Sequence, residues 1–244
     1  LWGGPGYVPV CGAFDGDQVS DPAVFDPGTG NWYIKTMDNR ILAWALPWGG
    51  PDTLPVQGDY NGDGISDLAV FDFTTGFWYI KTLTGAVLAW AYPWGWPGAV
   101  PVPGDFDGDR VSDLAVFDPG AGAWYVRNIS GTVIAWNSAW GFPGVIPGSG
   151  DYSGSGVSDL AVFDPGSGCW YVRSVSGAVR VWGLPWGWPG VTPVAGDYNG
   201  DGVTEVAVFD SISGNWFIAD TSGSVILWAG AWGFPGTVPV SGFR

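Results

Sequence analysis

The strongest constraint on this 244-residue chain is a repeat with a fixed period. The segment W-G-x-P returns every 46 residues without insertion or deletion, opening at Trp2, Trp48, Trp94, Trp140, Trp186 and Trp232. The chain therefore contains five full repeats and the beginning of a sixth. Periods of this size are typical of solenoids, propellers and arrays, in which each unit buries its apolar surface against its neighbours.

The third repeat illustrates the predicted secondary structure of the unit. Alternating β-branched and aromatic residues predict four strands, at residues 100–103, 114–117, 123–127 and 133–136. Asp118, Pro119 and Gly120 predict a turn, because proline presets φ and glycine accepts a positive φ. No segment has a sustained helical period.

A four-stranded sheet of this size cannot bury both of its faces, whereas sheets stacked around an axis can. We therefore predict an all-β fold, a single five-bladed β-propeller domain over residues 1–244 with four-stranded antiparallel blades. The blades would be residues 2–47, 48–93, 94–139, 140–185 and 186–231, with an extra half-repeat at 232–244. A linear β-solenoid is the alternative, but open stacks usually have atypical end repeats.

Tryptophan recurs in two further columns of the repeat. The third strand carries Trp32, Trp78, Trp124, Trp170 and Trp216. The fourth strand ends in Trp44, Trp90, Trp136, Trp182 and Trp228. We predict that both columns pack between blades, because a residue present in every repeat usually belongs to the repeated interface.

An acidic loop precedes the second strand of each repeat. In repeat 2 it reads GDYNGDGISD, with oxygen-bearing side chains at Asp59, Asn61, Asp63 and Asp67. Calcium takes about six to eight oxygen ligands, and alternate side chains of a tight loop can converge on it. The backbone carbonyl of Ile65 would supply a further ligand. This loop therefore predicts a calcium site.

The other four loops are unequal copies of this pattern. Loop 5 offers Asp197, Asn199, Asp201, the carbonyl of Val203, and Glu205. Loop 3 offers Asp105, Asp107, Asp109, the carbonyl of Val111, and Asp113, with Arg110 in the place of the glycine. Loop 1 has lost its first ligand to Ala13, and loop 4 has Ser153 and Ser155 between its acids. We predict calcium in loops 2, 3 and 5; plain turns capped by their own Asp and Asn side chains are the alternative.

These motifs resemble the FG-GAP/VCBS repeat family, which includes the calcium-loop blades of integrin α-subunit propellers. The resemblance covers the whole chain through the loop GDYNGDGISD, the following LAVFD, the GxWY strand and the connector WGxPGxxPV. It implies propeller blades whose first two strands are joined by a calcium-holding loop. Members are mostly secreted or cell-surface proteins used in adhesion, and some related propellers are lectins. The resemblance therefore implies an extracellular or cell-surface protein.

Composition excludes several functions. The chain has 23 acidic and 8 basic residues, a formal net charge of −15, so we expect no binding to nucleic acid. It has no long apolar run, so we expect no membrane insertion. It has no histidine, which excludes Ser-His-Asp and Cys-His catalysis. We expect no enzyme, and a glycosidase that uses only carboxylates is the remaining catalytic alternative.

The residue two positions after each opening tryptophan varies, although the repeat is otherwise regular. Four of these residues are aromatic: Trp96, Phe142, Trp188 and Phe234. Exposed aromatic rings beside Asp and Asn can hold sugars by stacking and hydrogen bonding. We therefore predict a binding or adhesion module for a glycan or a cell-surface protein, with these four residues as its candidate ligand contacts. The alternative is that the rings cover the neighbouring blade.

The sixth copy of the connector is surplus to five blades. Its strand, at residues 237–241, would either close the first blade in place of residues 8–11 or add to the sheet of a neighbouring subunit. The second arrangement predicts self-assembly, with the chain as a structural subunit of an extracellular assembly or filament. Cys11 and Cys169 fall in non-adjacent blades, so we expect no disulfide bond between them.

Overall fold

The architecture is the predicted five-bladed propeller. A computed structural model describes residues 3–239, and these residues form twenty strands and no helix. The strands form five four-stranded sheets, and each sheet takes its strands in chain order from one repeat. Paired strands run antiparallel, as short turns between successive strands require.

The five blades have closely similar strand bounds. Blade 1 holds β1 (Val8–Gly12), β2 (Asp21–Asp26), β3 (Asn31–Lys35) and β4 (Ile41–Pro47). Blade 2 holds β5 (Thr53–Pro55), β6 (Leu68–Asp72), β7 (Phe77–Lys81) and β8 (Val87–Pro93). Blade 3 holds β9 (Val100–Pro101), β10 (Leu114–Asp118), β11 (Ala123–Arg127) and β12 (Val133–Ala139). Blade 4 holds β13 (Ile146–Gly150), β14 (Asp159–Asp164), β15 (Cys169–Arg173) and β16 (Val179–Pro185). Blade 5 holds β17 (Thr192–Pro193), β18 (Val206–Asp210), β19 (Asn215–Ala219) and β20 (Val225–Ala231).

The described chain divides into two compact units. One contains the residues up to Pro103 together with Asp109–Val116 and Arg127–Val133. The other contains Gly104–Gly108, Phe117–Val126 and the described residues from Ile134 onward. The first unit thus holds blades 1 and 2, the second holds blades 4 and 5, and blade 3 contributes to both.

The tryptophans of the third strands form the core, as predicted, in four of the five blades. Trp32, Trp78, Trp124 and Trp170 are all 0% exposed. Each indole N–H donates to the backbone carbonyl of the next opening tryptophan, for example Trp78 Nε1 to Trp94 O at 2.7 Å. Each ring also packs on the second-strand phenylalanine of its own blade, as Phe71 does on Trp78 at 5.3 Å between centroids. Trp216 of blade 5 differs and is only partly buried.

The tryptophans that end the fourth-strand pattern do not pack between blades, so that prediction was wrong. All five are largely exposed: Trp44, Trp90, Trp136, Trp182 and Trp228. The cause is a bulge directly after each of them, where a residue adopts positive φ: Ala45, Ala91, Asn137, Gly183 and Ala229. The register between the third and fourth strands shifts at this point, for example between Trp78 and Ile80. A bulge of this kind re-aims the neighbouring side chain, here toward solvent.

Three further predictions concern the two cysteines, the surplus terminal strand and membrane insertion. Cys11 and Cys169 form no disulfide bond with each other, as expected. Within the surplus terminal strand, residues 237–239 are not in a strand, and the rest lies outside the described residues, as does Trp2. The part of the chain that the structure describes has no helix of a length and apolarity that could cross a membrane.

Candidate functional site

An aromatic pocket lies on blade 2. It is built from the opening Trp48, Tyr79 of β7 and Trp90 of β8, and it has a volume of about 440 Å³. Trp90 stands edge-on to Tyr79, with centroids 5.3 Å apart and planes at 87°. Trp48 lies 5.7 Å from Trp90, and its indole N–H donates to the Tyr79 carbonyl at 3.1 Å. Although Trp90 is 69% exposed, its orientation is therefore fixed by two other rings.

Polar groups border the same pocket. Asp52, Thr53 and Asp72 line it beside the rings. Burial would raise the pKa of Asp72, but hydrogen bonds from residues 74 and 75 outweigh it and lower the pKa. Asp72 is therefore a charged hydrogen-bond acceptor at neutral pH. Lys81 Nζ lies 4.7 Å from the centre of the Trp48 ring, and burial lowers its pKa.

Blade 4 repeats this arrangement. Trp182 is edge-on to Tyr171 at 5.6 Å and 87°, and it lies 5.8 Å from Trp140. The pocket measures about 540 Å³, and Phe142 and Arg173 also line it. The sequence-predicted Phe142 packs on Tyr171 at 6.3 Å, so it forms one wall of the pocket.

Blade 5 has rings in the same three positions, with Phe217 in place of the tyrosine, but a smaller opening. Trp228 is edge-on to Phe217 at 5.2 Å and 86°, and it lies 5.8 Å from Trp186. The sequence-predicted Trp188 packs edge-on against Phe217 at 4.8 Å. The remaining pocket measures only about 140 Å³. The smallest of the three pockets thus has Trp188 at the position that Gly50 holds in blade 2 and Phe142 holds in blade 4.

The other two predicted contact residues lie outside these three pockets. Trp96 is half-buried in the connector before β9, where its carbonyl accepts the N–H of Ala99 at 3.1 Å. Phe234 is exposed, near the end of the described residues. The fourth-strand tryptophans, which line all three pockets, were missed as binding residues. Gly183 and Asn137, which replace alanine in two repeats, were the sequence signals of the bulge that exposes them.

Two acidic loops bring carboxylates together in a way that could hold a metal ion. In loop 5, Asp197, Asp201 and Glu205 each place an oxygen within 4.8 Å of the others. Asn199 Nδ2 donates to Asp201 at 3.0 Å and to Glu205 at 2.9 Å. Glu205 is buried, and this burial raises its pKa. The donor set consists of oxygens, which a hard cation prefers.

Loop 3 gathers its acids in the same way. Asp105, Asp107 and Asp109 each place an oxygen within 4.8 Å of the others. Arg110 adopts φ 68°, close to the φ of 81° at Gly64 and 84° at Gly202. The loop therefore keeps its turn although it lacks the glycine. The assignment of loop residues as calcium ligands stays a prediction.

Loop 2, the most complete by sequence, has a different arrangement. Its acids Asp59, Asp63 and Asp67 do not form such a group among the described residues. Asp59 accepts hydrogen bonds from the N–H groups of Gly62 and Gly64, both at 2.7 Å, as Asp197 of loop 5 does from Gly200 and Gly202. These are the self-capping turns that the sequence left open as the alternative.

The last acid of each loop has a structural role that sequence reasoning missed. Five acids in this position are buried: Asp21, Asp67, Asp113, Asp159 and Glu205. In four loops the acid accepts the backbone N–H of the aromatic residue seven positions earlier, as Asp67 does from Tyr60 at 2.9 Å. Burial raises the pKa of Asp67 to about 7 despite that bond. This acid therefore closes its loop whether or not an ion is bound.

Known structures share the fold with this chain at low sequence identity. A lectin from Agrocybe aegerita that recognises non-reducing terminal N-acetylglucosamine matches with a TM-score of 0.57 at 16% identity, over 89% of this chain and 64% of the lectin. Virginiamycin B lyase from Staphylococcus aureus matches with a TM-score of 0.56 at 12% identity, over 89% of this chain and 68% of the lyase. A protein of unknown function from Bacteroides caccae matches with a TM-score of 0.57 at 13% identity, over 96% of this chain and 86% of that protein. No family model and no curated protein matches the sequence. The chain thus has a β-propeller fold like that of a lectin and a lyase, and it spans less than two thirds of the lectin's length.

Proposed function

We propose that this chain is a non-enzymatic extracellular binding module that holds carbohydrate in the aromatic pockets of its blades. One observation carries the proposal: blades 2, 4 and 5 each combine a fixed but exposed tryptophan with two further aromatic rings. A large exposed apolar ring in every repeat is unusual on a monomer surface and indicates a contact with a partner. The flat face of a sugar stacks on such a ring, and an edge-on neighbour fixes the ring for it.

The pockets of blades 2 and 4 are the proposed binding sites. Gly50 leaves the pocket of blade 2 open, and Asp52 and Asp72 are placed there to accept hydrogen bonds from sugar hydroxyls. Phe142 and Arg173 line the pocket of blade 4. The pocket of blade 5 is largely filled by Trp188 and serves as an internal comparison. The acidity of the chain favours neutral glycans over sulfated or sialylated ones.

A glycan array followed by calorimetry tests the proposal. We expect the wild type to bind a neutral glycan, and we expect Trp90→Ala and Trp182→Ala each to weaken binding about tenfold, because each removes a stacking platform. Trp228→Ala is the matched control, since it removes the equivalent ring beside the filled pocket and should leave binding unchanged. Absence of binding by the wild type to any neutral glycan contradicts the proposal.

Two other observations support a non-enzymatic role. The virginiamycin B lyase is described as catalytically inactive after one histidine is replaced by alanine, and this chain contains no histidine. The acids of the chain are largely used in its loops and turns, as with Asp67 and Asp72. The resemblance to FG-GAP/VCBS repeats supports an extracellular location.

We further propose that calcium occupies loops 3 and 5, with loop 2 as a third site. The oxygen donors gathered in loops 3 and 5 fit this ion, and the family resemblance implies it. Bound calcium would neutralise adjacent carboxylates. In loop 5, Asp197, Asp201 and Glu205 would hold it, and Glu205 would also continue to fix the backbone of the loop through Tyr198. The ion would then stabilise the blades that carry the pockets.

A further inference from the structure

The small pocket of blade 5 has a chemistry of its own. Four aromatic rings surround it, those of Trp186, Trp188, Phe217 and Trp228. Phe217 stands edge-on to both Trp188 and Trp228, and Trp186 lies 5.8 Å from Trp228. Pockets for drug-sized ligands measure about 300–1,000 Å³. The volume of about 140 Å³ that the rings leave therefore suits a group of only a few heavy atoms.

This pocket offers a ligand few hydrogen-bond partners. Its third strand carries Phe217 where the other four repeats have tyrosine, so the ring has no hydroxyl group. The indole N–H of Trp186 already donates to the Phe217 carbonyl at 3.1 Å. Beside the four rings, the described residues that line the pocket are only proline, glycine and valine. A sugar would therefore leave hydroxyl groups unpaired there, and burying an unpaired polar group is costly.

Other repeats show what the ring of an opening tryptophan attracts. In blades 2, 3 and 4 the last residue of the third strand places a cation over that ring: Lys81 over Trp48 at 4.7 Å, Arg127 over Trp94 at 5.1 Å and Arg173 over Trp140 at 5.1 Å. The negative face of an aromatic ring attracts such a charge. Blade 5 has Ala219 at this position, so its third strand supplies no cation to Trp186.

Three sequence differences of blade 5 thus act in the same direction. Trp188 adds a ring, Phe217 removes a hydroxyl group, and Ala219 removes the cation that the repeat carries elsewhere. The result is a small, uncharged pocket bounded by aromatic rings, on a chain whose net charge of −15 attracts cations. A quaternary ammonium group fits such a pocket, because it is positively charged, has no N–H, and needs no hydrogen-bond acceptor.

We propose that the pocket of blade 5 binds a quaternary ammonium group, such as the trimethylammonium group of choline. Trp228 and Trp188 are partly exposed and form its entrance, whereas Trp186 and Phe217 are buried and form its base. A primary ammonium group binds less well, because its N–H groups lose water without gaining an acceptor. The site is separate from the carbohydrate pockets of blades 2 and 4 and does not depend on them.

Titration calorimetry with three small ligands tests the chemistry of the site. Choline is the probe. The alcohol 3,3-dimethylbutan-1-ol has the shape of choline with carbon in place of nitrogen, and ethanolamine keeps the positive charge but has N–H groups. We expect choline to bind at a single site per chain and each control ligand to bind about tenfold more weakly. Choline that binds no more tightly than the neutral alcohol overturns the proposal.

Two variants locate the site in blade 5. Trp228→Ala removes an exposed ring, and Trp188→Gly copies Gly50 of blade 2, whose carbonyl accepts the same turn hydrogen bond as that of Trp188. We expect both to remain folded by circular dichroism and to bind choline about tenfold more weakly. Trp90→Ala, which removes the equivalent ring of blade 2, is the matched control and should bind choline as the wild type does. Wild-type affinity for choline in both blade 5 variants overturns the proposal.

The same variants keep this site distinct from the carbohydrate sites. Glycan binding should be weakened in Trp90→Ala and unchanged in Trp228→Ala, the reverse of the pattern for choline, so either activity can fail without the other. Sedimentation with phosphatidylcholine vesicles then identifies the source of the ligand. Sedimentation that free choline reverses supports a lipid headgroup, whereas choline binding without sedimentation supports a soluble quaternary ammonium compound.

Discussion

Two tryptophans of blade 2, Trp78 and Trp90, are twelve residues apart in the repeat and have opposite surroundings. Trp78 on β7 is fully buried and hydrogen-bonded to the Trp94 carbonyl, whereas Trp90 on β8 is 69% exposed. Both recur in every repeat, so recurrence alone does not distinguish a core residue from a surface residue. What separates them is the backbone, because only Trp90 is followed by a residue with positive φ, Ala91.

The largest expected difference is in the free energy of unfolding when either Trp78 or Trp90 is replaced by alanine. Trp78→Ala should reduce the free energy of unfolding by about 3–5 kcal/mol, because it leaves a large cavity and an unpaired carbonyl in the core. Trp90→Ala should reduce it by less than about 1 kcal/mol, since most of its ring is already in water. Urea denaturation followed by circular dichroism measures both. Equal losses would show that the two columns have the same structural role.

The bulge is the next place to test this difference. Ala91→Val should destabilise the fold by about 1–2 kcal/mol, because a side chain at positive φ crowds the following carbonyl and a β-branched one does so most. Ala91→Gly should be neutral or stabilising, because glycine adopts that φ without strain. Both variants are compared by urea denaturation, with acrylamide quenching to follow the exposure of Trp90. An unchanged stability of Ala91→Val would show that the bulge does not constrain the strand.

Calcium should affect the tryptophans of the third strands and leave the exposed tryptophans of the fourth strands unchanged. Tyr60 of loop 2 lies 6.5 Å from Trp78, and Tyr198 of loop 5 lies 6.2 Å from Trp216. We therefore expect calcium to change the emission of these indoles and, at ten times its dissociation constant, to stabilise the fold by about 1.4 kcal/mol per site. Chelation should reverse both effects.

Substitution in loop 5 distinguishes calcium binding at a specific site from general screening of the acidic charge by the ion. Glu205→Asn should remove the contribution of that loop, whereas Asp151→Asn in the serine-containing loop 4 is the matched control. Calorimetric titration of both variants and the wild type counts the ions bound. A count that is the same in Glu205→Asn and in the wild type would exclude loop 5 as a site.

The smallest expected effect on stability comes from a substitution at the blade 2 pocket, which Trp90 lines. Gly50→Trp copies the residue that fills the pocket of blade 5, and an added Cβ meets nothing within 4 Å. We expect it to shield Trp90 from acrylamide and to abolish glycan binding at blade 2, while changing the free energy of unfolding by less than about 0.5 kcal/mol. Gly50→Ala is the control and should leave the pocket open. Glycan binding that survives Gly50→Trp would place the ligand elsewhere.

The repeat made most of the fold predictable. Its period and its alternating strands gave the five blades, and the strand predicted at residues 123–127 agrees with β11. The exposure of Trp90 was not predictable from its own repeat, because Ala91 at the bulge position gives no indication of positive φ. Only Asn137 and Gly183, at the same position in other repeats, do so. The sequence also treats Trp186 and Trp232 as equivalents, although the described structure buries the first and exposes the second.

The candidate sites were predictable to a smaller extent. The acids that gather in loops 3 and 5 were recognised from their spacing. Phe142, predicted as a ligand contact, lines a pocket, and its role as a contact stays a prediction. Asp67 was interpreted as a ligand, whereas its clearest contact is with the backbone of Tyr60. Side-chain spacing indicates which oxygens are available, but the hydrogen bonds of the folded loop decide where they point.

The indole hydrogen bonds of the core have a consequence for how the fold comes apart. Trp170 donates to the carbonyl of Trp186, and Trp186 donates to Phe217 of the following blade. Blade 4 is thus held to blade 5 through Trp186, which lies in the connector between them. Unfolding of blade 5 would remove the acceptor of the Trp186 indole and uncover Trp170, whose core cluster includes Val206 and Val208 of blade 5. The connector thereby makes two neighbouring repeats one cooperative unit of unfolding.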